Sequence, residues 1–247
     1  MTALVLRHDA AGTCTLTLNR PDKRNALNTE LFAELDAHLA SLEAEAATTG
    51  CVVLRGAGKA FCAGADLAAI QQGVVVPTPM YKTRVIERLA SLPQPVVAAV
   101  HGYCYTGGLE LALAADFIVA ADTATFADTH GKWGLVAAWG MTQRLPRRIG
   151  TVQAKRLMMT GQVITAQEAL AIGLVDEVAA ESGFDSLVAD WAAKLTANSW
   201  HTSQHVKRLI RETEGMTLEA GLAHEFFRNP GAAPDMAARL EGFRQKG

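Results

Sequence analysis

Twice in this chain an apolar, β-forming run breaks into a turn of small residues and then into a helical pattern. The first instance is "CVVLRGAGKAFCAGADLAAI" (51–70) and the second is "PVVAAVHGYCYTGGLELALAAD" (95–116). A strand that feeds a helix and then another strand calls for a crossover connection, so the repetition predicts an α/β core with parallel pairing. "TCTLTLNR" (13–20) and "FIVAA" (117–121) read as further strands, and "NTELFAELDAHLASLEAEA" (28–46) carries Leu31, Leu35, Leu39 and Leu42 at helical spacing. Asn28 is placed to cap that helix, with Glu30 at its positive end. A Gly- and Val-rich loop, "QQGVVVPTPM" (71–80), leads to a helix ending near Leu92. From residue 151 the pattern is helical apart from a strand at "LVDEVA" (174–179).

The length of 247 residues supports a large buried core, and 49% hydrophobic with 19% charged residues is an ordinary globular balance. A formal net charge of −2 argues against a nucleic-acid surface, which needs clustered Lys and Arg. No apolar stretch reaches the roughly 18 residues of a membrane helix. The opening "MTALVLRHDA" lacks the basic region and long apolar core of a secretory leader. Cys14, Cys51, Cys62 and Cys104 form no C-x-x-C pair, which fits free thiols in a reducing cytoplasm. The expectation is a cytoplasmic protein without a nucleic-acid or membrane partner.

Two motif-like stretches fail their tests. "RGAGKAF" (55–61) has Val53 where a phosphate loop needs its first Gly, and Ala60 where it needs Ser or Thr. "GYCYTG" (102–107) puts Cys104 in a nucleophile's place, but Thr106 stands where a nucleophile elbow needs Gly, so Cys104 reads as a small buried residue. The histidines have neither metal-site spacing nor a Cys/His cluster beside them, and no metal is expected.

The glycine-rich corners carry more. Gly64 and Gly107 permit backbone geometries and close approaches that a side chain would block. Each turn leaves amide N–H groups free at the start of a helix. The pattern is met equally by two tight α/β turns and by two amides converging into an oxyanion hole. Glu110 sits in the apolar run after the second corner, with Leu113, Ala114 and Phe117 on its helical side. It is either a buried acid hydrogen-bonded to backbone or a proton-transfer group whose pKa the apolar surroundings raise.

"LNRPDKRNALN", "KAFCAGADL", "PVVAAVHGYCYTGGLELALAADFIVA", "GMTQRLPRRIG" and "TAQEALAIGLVDEV" together resemble the enoyl-CoA hydratase/isomerase family, the crotonase superfamily. The similarity spans roughly residues 4 to 180. The resemblance implies a crotonase-like spiral of β-β-α units with a C-terminal helical region, assembled as a homotrimer or homohexamer. It implies an acyl-CoA thioester substrate, with coenzyme A carried by the substrate and no separate cofactor. The family's oxyanion amides fall on Ala65 and Gly107. Its substrate-binding segments fall on Ala63, Asp66, Leu67, Ala68 and Gly108, with Arg24 and Ala26 near the pantetheine and nucleotide. Glu110 matches one of the two glutamates of the hydratases.

The second glutamate belongs to an "F-G-x-x-E" pattern, and here "FADTHGKWGL" (126–135) places His130 in its position. A neutral histidine accepts a proton and an imidazolium returns one, so His130 is either catalytic or a space-filling replacement. Asp128 is an alternative acid or an orienting partner for His130, and His101 and Tyr105 are weaker candidates. "GLVAAWGMTQRLP" (134–146) replaces the family's small-residue loop and puts bulky Trp139 beside the pocket. Three functions follow: hydration of a 2-enoyl-CoA by Glu110 and His130; double-bond isomerisation or thioester or C–C hydrolysis; or an acyl-CoA-binding relic without chemistry. The expected division is an α/β core over 1–185 and a helical oligomerisation region over 186–247. The apolar spacing of Leu187, Trp191, Leu195, Val206, Leu209 and Ile210 is met by an interface between copies or by a face folded back on the chain's own core, and the oligomer is what the resemblance implies.

Overall fold

The computed structural model describes residues 2–73 and 76–245. Positions 74 and 75 of the expected Gly- and Val-rich loop lie outside that set. The chain opens with an antiparallel pair, β1 (Val5–Ala10) and β2 (Thr13–Leu18), and continues into α1 (Thr29–Ala44) and β3 (Cys51–Gly56). Asn28 caps α1 as expected, its side chain accepting from the Leu31 N–H at 3.0 Å. Short α2 (Leu67–Gln71) and α3 (Tyr81–Ser91) lead to β4 (Val96–Val100), β5 (Tyr103–Tyr105) and α4 (Gly107–Ala112). Then come β6 (Phe117–Ala121), β7 (Thr125–Ala127), α5 (Met141–Ile149), α6 (Thr151–Thr160), β8 (Ile164–Thr165), α7 (Ala166–Ala171) and β9 (Glu177–Ala179). Four helices close the chain: α8 (Phe184–Ala197), α9 (Trp200–Glu212), α10 (Leu218–Arg228) and α11 (Met236–Arg244).

The main sheet has the order β1-β2-β3-β4-β6-β9, parallel throughout except for β1 with β2. A smaller sheet, β5-β7-β8, lies beside it, and the strand pairs β4–β5 and β6–β7 each step from one sheet to the other. That stepping is the expected spiral of β-β-α units. The short strands β5, β7 and β8, and the edge strand β1, were not legible as separate elements.

Strand alternation sorts the core into two layers. Val52, Leu54, Val96, Ala98, Val100, Ile118 and Ala120 face the large cluster containing Leu31, Leu35, Leu39 and Leu42 of α1. Cys51, Val53, Val97, Ala99, Val119 and Ala121 face the other way, onto Phe184, Leu187, Val188 and Ala192 of α8. With both faces covered, these strands read as unbroken apolar runs.

This arrangement corrects the expected boundary at 185/186, which cuts through α8. Leu187 is buried on the sheet, Trp191 packs on Phe117 with ring centres 4.9 Å apart, and Leu195 packs against the same cluster. Their helical stripe therefore belongs to the core. The uncovered apolar surface lies further along, on Val206, Ile210, Leu218, Phe226, Phe227 and Phe243. No helix among the described residues is long and apolar enough to cross a membrane.

Candidate active site

The two glycine corners are zipped directly together. Cys62 exchanges backbone hydrogen bonds with β5: its N–H donates to the Tyr103 carbonyl at 2.9 Å, and its carbonyl accepts from the Tyr105 N–H at 3.0 Å. On the other side, Leu27 donates to the Gly64 carbonyl at 2.8 Å and accepts from the Asp66 N–H at 3.0 Å. In such a parallel bridge the residue between the two bonded groups turns its own N–H away, and that residue is Ala65. Gly107 opens α4, where the first N–H has no intrahelical acceptor. Among the described residues neither the Ala65 nor the Gly107 N–H finds an acceptor.

Close approach explains the glycines. A Cβ on Gly64, whose φ is +109°, would lie 3.1 Å from the Tyr105 carbonyl oxygen and 3.5 Å from the Gly107 nitrogen. A Cβ on Gly107 would lie 3.3 Å from the Ala65 nitrogen and only 2.5 Å from the Trp139 ring. The two amides thus share one corner, with the indole directly over it. Gly108 has a different reason from the one expected: its Cβ would meet the Cys62 carbonyl oxygen at 2.4 Å. It lets one corner pack on the other and does not face open space.

Thr106, between β5 and α4, was missed in the sequence. It adopts φ +52° and ψ −113°, a conformation that costs a non-glycine residue about 1–3 kcal/mol. Its N–H donates to the Ala127 carbonyl at 2.8 Å and its hydroxyl bonds the Thr129 hydroxyl at 2.6 Å, which hold the turn that orients Gly107.

Glu110 is buried three residues beyond Gly107, on the same face of α4. Its Oε1 accepts from the Trp139 N–H at 2.8 Å and the Met141 N–H at 3.2 Å, where the chain enters α5. Its Oε2 has no hydrogen-bond partner among the described residues and lies 3.7 Å from His130 Nε2. On the far side of the ring, His130 Nδ1 is 2.6 Å from Asp128 Oδ1, and Asp128 also accepts from the His130 backbone N–H at 3.1 Å. Asp128 thereby fixes the imidazole with Nε2 toward Glu110.

Burial pushes the Glu110 pKa above the ordinary carboxyl value, partly countered by the Trp139 N–H, the His130 charge and the Met141 N–H. Burial also opposes charge on His130, but the hydrogen bond and charge of Asp128, with Glu110, outweigh it and raise that pKa. Two atoms 3.7 Å apart can both reach a third oxygen about 2.8 Å from each. The geometry leaves each atom free to bond such an oxygen.

The other sequence candidates divide. Asp66 is engaged elsewhere than expected: one oxygen caps α2 through the Ala68 and Ala69 N–H groups and the other pairs with Arg20 at 3.0 Å. Leu67 and Ala68 are exposed on the first turn of α2, next to Ala65. Arg24 is exposed and left-handed at φ +48°, with its guanidinium 5.2 Å from the Tyr103 ring centre and its carbonyl bonded to the Ala63 N–H. The Ala26 carbonyl accepts from Arg20. Tyr105 bonds Thr125, and His101 bonds the Gly58 carbonyl, so neither joins the pair. Cys104 is fully buried, and burial holds its thiol well above the ordinary range, as a structural cysteine requires.

The enoyl-CoA hydratase/isomerase family profile matches residues 8–243. The chain is 34% identical to the 2,3-dehydroadipyl-CoA hydratase of Escherichia coli over 94% of its own length and 91% of the relative's. It is 31% identical to the 1,2-epoxyphenylacetyl-CoA isomerase of the same organism, over 100% and 97%. An enoyl-CoA hydratase structure from Bacillus anthracis superimposes with a TM-score of 0.91 at 33% identity, covering 99% of this chain and 97% of that one. Strand stepping between two sheets, the joined glycine corners and these whole-length similarities agree: the chain belongs to the enoyl-CoA hydratase/isomerase family, within the crotonase superfamily.

Proposed function

We propose that the protein is an enoyl-CoA hydratase-type lyase that adds water across the double bond of a 2-enoyl-CoA thioester. The observation that carries this reading is the facing of Glu110 Oε2 and His130 Nε2 across 3.7 Å, one helical turn from the paired amide corner. The thioester oxygen sits between the Ala65 and Gly107 N–H groups. As the water oxygen bonds to C3, its proton passes to Glu110 Oε2, and the C2–C3 π electrons move toward the thioester oxygen to give an enolate. The two amides stabilise that charge, and one such donor contributes roughly 2.7–4 kcal/mol. The enolate collapses by taking the Nε2 proton of the His130 imidazolium at C2. A proton then returns from Glu110 to His130 and resets the pair.

In this scheme Glu110 must be ionised and His130 charged. The raised His130 pKa favours the imidazolium, while the raised Glu110 pKa disfavours the carboxylate at rest but makes it the stronger base toward the water proton. Each step is carried by residues of this chain, and coenzyme A arrives with the substrate. The four buried free thiols suit a cytoplasmic setting.

The direct test is incubation with a panel of 2-enoyl-CoA and oxoacyl-CoA thioesters followed by product mass analysis. A gain of one water supports hydration. An isomer at unchanged mass, or free CoA, would replace it with isomerisation or hydrolysis, and tight binding without any product would indicate a non-catalytic relic.

The pH dependence offers a separate check. Activity is expected to follow a bell, with the acid limb from Glu110 and the alkaline limb from His130. Asp128→Asn removes the anion that favours the imidazolium, so the His130 pKa falls and the alkaline limb moves to lower pH. An unmoved alkaline limb would exclude His130 as the group behind it.

The protein is further proposed to assemble as a homotrimer or homohexamer through α9, α10 and α11, whose uncovered side chains include Phe226 at 78% and Phe227 at 80% exposure. Light scattering is expected to return three or six times 26.3 kDa. A stable monomer at micromolar concentration would refute this.

A further inference from the structure

We propose that Lys82 receives a carboxylate at the distal end of the acyl group, so that the preferred substrates are enoyl-CoA thioesters of dicarboxylic acids. The inference rests on the acyl-CoA reading of the site and adds the class of acyl group. Phe32 and Trp139 meet edge to face, their ring centres 5.3 Å apart. Lys82 Nζ lies 5.7 Å from the first centre and 5.6 Å from the second. Trp139 is also the side chain that covers Gly107 and whose backbone N–H holds Glu110. One indole therefore packs on Gly107 at one edge and has the Lys82 ammonium over its ring.

Lys82 is half-buried, and among the described residues it makes no ion pair or hydrogen bond. Glu30 and Asp66 are the carboxylates whose charge reaches it; neither lies within ion-pair distance, and Asp66 is taken by Arg20 at 3.0 Å. Burial lowers the Lys82 pKa, an effect these two carboxylates only partly offset. A partly desolvated ammonium against two aromatic faces is completed by an anion. The phosphates of coenzyme A are the other source of such a group. Arg24, exposed over Tyr103 near the "RPDKRNAL" turn, is better placed for those. Lys82 instead lies against Trp139, the side chain that covers Gly107, and this proximity to the thioester corner assigns it to the acyl group.

The test is calorimetric binding of two saturated thioesters that cannot be hydrated, butyryl-CoA and glutaryl-CoA, to the wild type, Lys82→Met and Lys82→Arg. Met retains the length and apolar contact of the lysine stem, so butyryl-CoA binding reports an intact site. The wild type is expected to bind glutaryl-CoA about tenfold or more tightly than butyryl-CoA, as suits a charge-assisted hydrogen bond. Lys82→Met should abolish that preference with butyryl-CoA affinity unchanged, and Lys82→Arg should keep most of it. A wild type without preference, or a preference surviving in Lys82→Met, overturns the proposal. Equal weakening of both thioesters would assign Lys82 to the coenzyme A phosphates and overturn it as well. A Lys82-dependent preference in a protein that adds no water to any enoyl-CoA would support the acyl assignment while sinking the hydratase reading. Absence of binding by either thioester would remove both.

Discussion

Glu110→Gln is expected to lower turnover by at least about 100-fold while leaving acyl-CoA affinity close to that of the wild type. The amide oxygen can replace Oε1 and keep the hydrogen bonds from the Trp139 and Met141 N–H groups, so the entry to α5 stays in place. The change falls on Oε2, the atom that faces His130 Nε2 and has no other partner among the described residues. An NH2 group there cannot accept the water proton. Neutralising the buried carboxylate also removes a charge that raises the His130 pKa, so the imidazolium becomes less stable in the variant. Steady-state hydration rates and calorimetric binding of a saturated acyl-CoA separate the two quantities. Wild-type turnover in Glu110→Gln would reject Glu110 as the proton-transfer group. A loss of binding equal to the loss of rate would make its role structural.

Gly107→Pro should be nearly inactive, and comparison with Gly107→Ala gives the reason. Both variants introduce a Cβ that would lie 2.5 Å from the Trp139 ring and 3.3 Å from the Ala65 nitrogen, so both must displace the indole. Only proline also removes the N–H. Its position at the first residue of α4 is one that proline tolerates in a helix, because that N–H has no intrahelical acceptor. The alanine variant therefore reports the cost of the added Cβ, while the proline ring also presses on the Thr106 conformation at ψ −113°. Losing one oxyanion donor costs roughly 10²–10³ in kcat, so the proline variant should fall about 100-fold or more below the alanine variant. Equal activities in two folded variants would remove the Gly107 amide from the proposed oxyanion site. Acyl-CoA binding and far-ultraviolet circular dichroism serve as the folding controls.

Much of this molecule is written in local pattern. The Leu31, Leu35, Leu39 and Leu42 stripe and the Asn28 cap specify α1 because a helix needs only residues three and four apart and one capping oxygen. The apolar runs of β3, β4 and β6 specify buried strands, since only a sheet covered on both faces hides every side chain. The glycine corners, Glu110 and the pairing of Asp128 with His130 were legible too, the last because residues two positions apart in a turn can hydrogen-bond without help from the rest of the chain. By contrast, β5, β7 and β8 are two or three residues long and carry no periodicity to detect; they exist because neighbouring strands offer them partners. The stripe of Leu187, Trp191 and Leu195 has the spacing of an interface, and periodicity alone cannot say whether the covering surface is another copy or the chain's own sheet. Packing chose the sheet.

The same division runs through the site. Residue types at Gly107, Glu110 and His130 indicate which chemistry is possible, whereas the neighbours that tune it come from distant segments. Leu27 binds both sides of Ala65 and so turns its N–H outward. Trp139 and Met141 supply the donors that hold a carboxylate which, in sequence, has only apolar neighbours on its helical side. Gly108 serves the contact with Cys62, and Asp66 serves Arg20 and the start of α2. Side-chain chemistry is a property of the residue and survives in the sequence. The direction of a backbone N–H, the burial of a carboxylate and the 3.7 Å separation of Glu110 Oε2 from His130 Nε2 are properties of segments brought together, and they come into being only when the core closes.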